Sequence, residues 1–299
     1  MRNDLLLNGN QEADRKSSGD PTVAVAFGGG GARGFAHIHV IEVLNELGIR
    51  PVAISGASIG AIMGTAMASG MTGSEIRAYT LATLGKRSQV ISRIWRARPS
   101  GVGNVFSGGF RLGQFSIERI LAAFLPEDFP TTFEELDIPT KVVVTDFYAQ
   151  QEAVYSSGDL MNAVAASAAI PALFRPVLLD GRYMIDGGIS NPVPFDHLEG
   201  LADIIIGVDV VGGPGGDDGE RPSTTDLMFG ASQLMMQSII TMKLKSGRPD
   251  VFLRPDVSRF RVLDFFKADD VLTVSAGIRE ELKHALDAIF TYHIKNGEG

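Results

Sequence analysis

Two glycine-rich turns near the start of the chain each follow a short apolar run and precede a helical pattern. The first run, Val23 to Phe27, leads into FGGGGARGF at residues 27–35. The second, Val52 to Ile54, leads into ISGASIG at residues 54–60. Strand–turn–helix units of this kind build parallel sheets, and successive turns lie beyond the carboxyl ends of the strands. The two turns are therefore predicted to face one crevice.

The alternation of apolar runs and helical patterns continues along the chain. The runs are continuously apolar and rich in Val and Ile, which is typical of a mostly parallel sheet covered by helices on both faces. With 299 residues, 44% of them hydrophobic, the chain is expected to form one large domain. The predicted strands are residues 23–27, 51–55, 141–146 and 202–211, and the predicted helices include residues 36–47 and a helix that starts near residue 59.

The composition excludes several classes of function. A formal charge of −8 does not suit a nucleic-acid partner, because contacts with the phosphate backbone need a basic surface. The absence of cysteine excludes disulfides, thiolate nucleophiles and cysteine metal sites. No window reaches the roughly 18 to 20 apolar residues of a membrane span. We therefore predict a soluble, cytoplasmic protein, open to peripheral membrane contact, with a disordered tail at residues 1–20.

The first turn also matches the dinucleotide fingerprint G-x-G-x-x-G, through Gly29, Gly31 and Gly34. A dinucleotide site of this type needs an Asp or Glu at the end of the second strand to bind the ribose. The second strand instead ends in ISGAS. The first turn is thus better interpreted as a set of backbone N–H donors aimed at a substrate oxygen near the second turn.

The second turn has the pattern of a nucleophile elbow, G-x-S-x-G, at Gly56, Ser58 and Gly60. In such an elbow a sharp turn between strand and helix exposes the serine hydroxyl, and the glycines leave room for neighbouring strands. The N-terminus of the following helix supplies free N–H groups and a positive dipole end, which favour a developing oxyanion. Ser58 is therefore the candidate nucleophile.

A serine nucleophile needs a base, and none of the five histidines has a convincing position. His37, His39, His197, His284 and His293 are each interpreted as surface or core-edge residues.

The better candidate for the base is Asp186, in the sequence MIDGG. The two glycines that follow it form a tight turn, which can bring a carboxylate close to another backbone. An isolated D-G-G is also a common plain turn, so this assignment depends on the other motifs.

Together these motifs resemble the patatin-like phospholipases, lipid acyl hydrolases with a Ser-Asp dyad. The resemblance rests on G-G-G-x-R-G at residues 29–34, G-x-S-x-G at 56–60 and D-G-G at 186–188, in that order. It extends to AASAAIPALFRP at residues 165–176 and NPVP at 191–194, and it covers about residues 21 to 275. It implies a three-layer α/β/α patatin-like fold with a mostly parallel central sheet, as one hydrolase domain at residues 21–299.

The resemblance implies a role for each matched residue. Ser58 is the nucleophile and Asp186 its partner, the N–H groups of Gly29, Gly30 and Gly31 line the oxyanion hole, and Arg33 holds that loop in shape. The substrate would be a phospholipid or another acyl ester, with no metal and no cofactor. A general carboxylesterase or thioesterase acting on soluble acyl groups is the alternative, and a non-catalytic regulatory module on the same fold is a further one.

Two other segments are candidates for contact with lipid. Residues 76–117 contain no Asp or Glu but seven Lys or Arg, together with Trp95. This basic segment is either a rim that meets anionic headgroups or a solvated helical face. Leu227 to Leu244 forms a methionine-rich helical pattern, which suits an acyl surface but is also typical of a core or a subunit interface.

Overall fold

The computed structural model of the protein describes residues 21–84, 116–214 and 221–297, so the predicted tail lies outside the described residues. The strands in these ranges are β1 (Val23–Phe27), β2 (Ala53–Ala57), β3 (Thr140–Asp146), β4 (Gln151–Tyr155), β5 (Val177–Leu179), β6 (Arg182–Asp186), β7 (Ile204–Val208) and β8 (Val251–Leu253). The α-helices there are α1 (His37–Glu46), α2 (Ile59–Ala68), α3 (Gly73–Leu84), α4 (Ile117–Phe124), α5 (Leu160–Ser167), α6 (Thr224–Ser246), α7 (Ala268–Ser275) and α8 (Ile278–Gly297).

These strands form one mixed sheet in the order β5-β6-β3-β2-β1-β7-β8, with β4 also paired to β3. The pairs that link β3, β2, β1, β7 and β8 are all parallel. The pairs that join β4, β5 and β6 to the sheet are antiparallel. The prediction of an α/β fold with a mostly parallel central sheet is confirmed, although the antiparallel end of the sheet was not predicted.

Helices cover both faces of the sheet, and the alternation of side chains along β1 shows the two sides. Val25 and Phe27 pack into a core formed with α1, α2, α7 and α8. Ala24 and Ala26 point to the opposite face, where they pack in a second cluster with Ile240 of α6. The sheet is therefore the middle of three layers.

The second strand lies two residues further along the chain than the sequence pattern predicts. Its ladder with β1 begins at Ala53, opposite Ala24, and it ends at Ala57. Pro51, the predicted first residue, has no N–H to donate to a ladder. The shift matters for the site because it places Ser58 directly after the last residue of the strand.

The first glycine-rich turn contains a short 3-10 helix, Gly31–Ala36, which continues into α1. The predicted helix at residues 36–47 is thus present as α1, with an extra irregular turn in front of it. The Ala32 N–H donates to the carbonyl of Val262 at 2.8 Å. This bond ties the turn to a segment more than two hundred residues away, which a local pattern does not reveal.

Part of the basic segment can be described. Arg77 of α3 donates from Nε to Glu42 Oε1 at 2.7 Å, and Arg279 donates to the same carboxylate. The segment's other basic residues, with Trp95, lie outside the described residues, and the role predicted for them is untested. Among the helices that can be described, none combines the length and apolarity needed to cross a bilayer.

Two glycines permit close backbone contacts around the elbow. A Cβ on Gly60 would lie 2.0 Å from the carbonyl oxygen of Phe27, and one on Gly187 would lie 1.9 Å from that of Val143. Real Cβ atoms do not approach backbone oxygens so closely, so both positions require glycine. The first contact seats α2 against the end of β1, and the second brings the chain after β6 against β3.

We expect Gly60→Ala to lower the free energy of unfolding by about 3 kcal/mol, because the added methyl group has no space without backbone movement. Denaturant unfolding followed by circular dichroism would measure this change. Gly277→Ala is the matched control, since a Cβ there meets nothing within 4 Å. Equal effects of the two substitutions would contradict the close contact.

Candidate active site

Ser58 stands at the junction of β2 and α2 in a conformation that is unusual for a residue with a side chain. Its φ is 55° and its ψ is −127°. Such a conformation costs on the order of 1–3 kcal/mol and persists only where the surrounding structure holds it. Here the Ser58 N–H donates to Ser167 Oγ at 2.8 Å, and that hydroxyl donates to the Val143 carbonyl at 2.6 Å. Ser167 thus connects the elbow to β3.

The sheet register brings Ser58 and Asp186 to the same level. Ala57 pairs with Val143 between β2 and β3, and Val144 pairs with Asp186 between β3 and β6. The residue after Ala57 therefore lies level with Asp186, across β3. Ser58 Oγ donates a hydrogen bond to Asp186 Oδ2 at 2.6 Å.

Asp186 is buried, and its carboxylate receives few compensating interactions. Its second oxygen, Oδ1, accepts a hydrogen bond from the Gly188 N–H at 2.8 Å. Burial raises the pKa of Asp186 from 3.8 to about 6, although the bonds from Ser58 and Gly188 oppose the shift. A carboxylate with a raised pKa is a better proton acceptor near neutral pH than an exposed one.

The glycine turn lies beside this pair. A Cβ on Gly29 would lie 3.2 Å from Ser58 Cβ, so the turn passes close to the elbow. The Gly29 N–H donates to the carbonyl of Pro192 at 2.9 Å. In the part of the chain that the structure describes, the N–H groups of Gly30 and Gly31 donate to no protein atom. Two of the three predicted donors are therefore free.

Arg33 is buried behind the turn and binds backbone carbonyls. Its Nε donates to Phe260 at 2.7 Å, its Nη1 to Val211, and its Nη2 to Gly213 at 3.4 Å. With the amide of Gln233 oriented so that its oxygen faces the guanidinium, Nη2 also donates to that oxygen at 2.6 Å. Burial lowers the Arg33 pKa to about 10. The side chain joins the turn to the segment after β7 and to α6.

The histidines do not reach the Ser58 hydroxyl, but two of them are not the surface or core-edge residues that the sequence predicted. His37 and His39 are both buried. His37 Nε2 lies 2.8 Å from the carbonyl oxygen of Gly28, and burial lowers the pKa of this histidine to about 4. The ring is therefore neutral near pH 7, and its Nε2–H donates to the peptide just before the three glycines.

Two cavities meet at Ser58. The larger has a volume of about 410 Å³, and no charged side chain lines it in the described residues. Its walls come from the 3-10 helix, α2, α3, α4 and the segment that follows α5. The smaller, of about 120 Å³, is lined by Ser58, Asp186, Gly30 and Gly31, and by Ser232 and Gln233 of α6 among others. The arrangement separates a deep apolar space from a smaller space that carries polar groups.

A cluster that could hold a cation lies elsewhere. Within the described ranges, Glu152, Asp196 and His197 bring ligand atoms within 4.8 Å of one another. Lys243 Nζ donates to Asp196 Oδ1 at 2.6 Å, and His197 Nε2 lies 3.2 Å from Glu152 Oε1. Lys243 and the ring of His197 thus already contact the two carboxylates of this cluster. None of the four residues lines either cavity at Ser58.

Comparisons with known proteins identify related chains. The family model described as patatin-like phospholipase matches residues 25–198. An NTE family protein of Mycobacterium tuberculosis, described as uncharacterized, is 36% identical over 202 residues, which cover 67% of this chain and 52% of that protein. Patatin-like phospholipase domain-containing protein 7 of Rattus norvegicus is 27% identical over 281 residues, which cover 84% of this chain and 20% of that protein. The chain thus spans about half the length of the mycobacterial relative.

A search of solved structures finds VipD from Legionella pneumophila. Its sequence is 16% identical to this chain, and the superposition has a TM-score of 0.43. The match covers 86% of this chain and 67% of that one.

The burial of Asp186 leads to a prediction about stability. Because its pKa is raised from 3.8 to about 6 on folding, its contribution to stability is fully present below pH 3.8 and is lost as the pH rises through about 6. Asparagine carries no charge, so Asp186→Asn avoids the cost of burying a carboxylate. It should raise the free energy of unfolding at about pH 8 by up to roughly 3 kcal/mol. The gain should disappear as the pH falls from about 6 to 4.

Thermal unfolding of both chains across this pH range would measure the effect. The control is the same substitution at the exposed Asp128, Asp128→Asn. A gain for Asp186→Asn that is the same at every pH would contradict the raised pKa.

Proposed function

The chain belongs to the patatin-like phospholipase family, and on that premise we propose that it is a serine lipid acyl hydrolase with Ser58 as nucleophile and Asp186 as base. The observation that carries the proposal is the 2.6 Å hydrogen bond from Ser58 Oγ to Asp186 Oδ2, at the point where two cavities meet. The proposed catalytic unit lies in a single hydrolase domain, residues 21–299.

Acylation begins when the Ser58 hydroxyl oxygen attacks the carbonyl carbon of an ester. As the new C–O bond forms, the hydroxyl proton moves along the existing hydrogen bond to Asp186 Oδ2. Burial supports this transfer because it raises the Asp186 pKa to about 6. The Gly188 N–H fixes the other carboxylate oxygen, so that Oδ2 stays directed at Ser58.

The carbonyl oxygen becomes an oxyanion in the tetrahedral intermediate, and we assign its stabilisation to Gly30 and Gly31. Their N–H groups have no acceptor in the described residues, and both residues line the smaller cavity with Ser58. The Gly29 N–H is bound to Pro192, so the three donors predicted from the sequence reduce to two. Loss of one such donor costs about 2.7–4 kcal/mol in a serine hydrolase.

Acylation ends with Asp186 acting as an acid. The proton on Asp186 passes to the leaving alcohol as the tetrahedral intermediate collapses to the acyl-enzyme. In deacylation, water attacks the acyl carbon and gives a proton to Asp186. When the second tetrahedral intermediate collapses, Asp186 returns this proton to the Ser58 oxygen, and a carboxylic acid leaves. Asp186 thus accepts a proton and gives one back in each half of the reaction, and water is the second substrate.

The cavities favour a lipid over a small soluble ester. The 410 Å³ cavity is apolar and uncharged in its described lining, which suits a long acyl chain. The smaller cavity contains Ser232 and Gln233, whose polar groups suit the alcohol part of the ester. A carboxylesterase or thioesterase for short soluble acyl groups would have no use for the larger space.

Ser58→Ala and Asp186→Asn should each lower esterase turnover by at least about a thousandfold, because each removes one partner of the proton transfer. Fluorophosphonate labelling should modify the unsubstituted chain at Ser58 and leave Ser58→Ala unlabelled. Ser69→Ala is the control serine, since the Ser69 hydroxyl donates to the Ala66 carbonyl and Ser69 is not among the described residues that line either cavity. Full activity in folded Asp186→Asn would refute the dyad, and an inert unsubstituted chain would favour a non-catalytic module.

Substitution of Ala66, which lines the larger cavity from α2, tests the choice of substrate. Ala66→Phe should lower kcat/KM for nitrophenyl palmitate at least about tenfold more than for nitrophenyl butanoate, because the ring occupies space for the distal methylenes. Ala276→Phe, at an exposed position, is the control. An unsubstituted chain that prefers the butanoate, with no change on Ala66→Phe, would support the carboxylesterase alternative.

A further inference from the structure

The long helix α6 has apolar residues on both of its faces. Its inner face packs against the sheet and the site. Ile240 is buried in the core beneath the sheet. Met236 approaches Gly188, and Gln233 binds Arg33. Its outer face is exposed, yet most of its side chains are apolar or small. This outer stripe consists of Leu227, Met228, Ala231, Leu234, Met235, Ser238, Thr241, Met242 and Lys245.

Such a face is unusual on a helix at the surface of a protein. The side of a surface helix that faces water is normally polar, whereas a helix that is apolar all round is normally covered on all sides. The side chains of Leu234, Met235 and Met242 are each about 60% exposed. A contiguous patch of this kind marks a surface that binds another apolar surface.

The charges on α6 indicate which kind of surface the outer stripe binds. Asp226, in the first turn of α6, lies 3.8 Å from Arg261. From Leu227 to Arg248 there is no acidic residue, although the whole chain has a net charge of −8. Lys245 and Arg248 are exposed at the carboxyl end of this segment. Apolar side chains beside cations that form no ion pair within the described residues fit the interface of a lipid bilayer, where acyl chains meet phosphate headgroups.

The outer stripe is also continuous with the site. Met228 belongs to the stripe, with 38% of its surface exposed, and it also lines the smaller cavity at Ser58. Met236, one turn beyond Gln233 on the same helix, lines that cavity as well. An apolar path therefore runs from the outer surface of α6 to the Ser58 hydroxyl. Methionine suits such a path, because its flexible side chain adapts to irregular acyl groups.

We propose that the outer stripe of α6 is the surface by which the protein docks on a lipid bilayer, so that a lipid ester enters the smaller cavity past Met228. The proposal rests on the proposed function for its substrate, but docking itself does not require catalysis. A second copy of the chain is the competing occupant of the stripe.

The test is vesicle binding by the double variant Leu234→Glu/Met235→Glu. Neither residue lines a cavity at Ser58, so both act only through the outer surface. The matched control is Leu47→Glu/Leu201→Glu, which also adds two glutamates in place of exposed apolar side chains. These leucines precede β2 and β7, at the amino ends of the strands. All chains carry Ser58→Ala for the binding measurement, so that the vesicles stay intact.

We expect co-sedimentation with phosphatidylcholine–phosphatidylglycerol vesicles to fall at least about tenfold in the α6 variant and to stay unchanged in the control. With Ser58 restored, hydrolysis of vesicle phospholipid should fall similarly, while kcat/KM for a dissolved butanoyl ester stays within about twofold. Circular dichroism checks the fold. If the glutamates unfold the chain, Leu234→Gln/Met235→Gln replaces them in the same assays.

Equal binding by the α6 variant and the control would overturn the proposal. So would light scattering that finds a dimer of the unsubstituted chain which the α6 substitutions dissociate. Vesicle binding that depends on Leu234 and Met235, in a chain that hydrolyses no ester, would support docking and refute the proposed function. The two proposals can thus fail separately.

Discussion

The hydrogen bond between Ser58 and the buried carboxylate of Asp186 is the interaction on which the site depends. Burial makes the charged form of Asp186 costly, and the same burial raises its pKa to about 6. In the proposed mechanism the raised pKa makes Asp186 a better base, because a carboxylate with an ordinary pKa is a weak base for an alcohol at neutral pH. A less buried Asp186 would benefit stability and impair proton transfer.

The fold maintains this bond through contacts that are distant in sequence. The register of β2, β3 and β6 sets the height of both residues, and Gly187 lets the chain after β6 cross against β3. Ser167 holds the Ser58 peptide in its strained conformation. On the other side, Arg33 fixes the glycine turn to the segment after β7 and to α6. The Ser58 hydroxyl thereby binds the Asp186 carboxylate and lines the same small cavity as Gly30 and Gly31, at the carboxyl end of β2.

The sequence predicted the elements that have strong local signals. The parallel strands β1, β2, β3 and β7, the elbow at Ser58 and the D-G-G turn at Asp186 follow from apolar runs and from glycines at fixed offsets. The three-residue parallel strand β8 was not predicted. The antiparallel strands β4, β5 and β6 were missed, because three-to-five-residue strands with exposed positions have little periodicity. The bonds of His37 to Gly28 and of Gly29 to Pro192 were also beyond prediction, since each depends on tertiary packing. Only the structure shows that the methionines of α6 divide between the cavity and the outer surface.

The central claim is that the buried carboxylate of Asp186 activates Ser58, and the pH dependence of inactivation by a fluorophosphonate tests it most directly. This rate measures the reaction of Ser58 with the reagent and does not depend on product release. We expect the rate constant to rise with pH through an inflection near 6, and to be low and without that inflection in Asp186→Asn. His37 cannot produce the inflection, because burial lowers its pKa to about 4. An inflection near 6 that persists at full rate in Asp186→Asn would show that another group is the base.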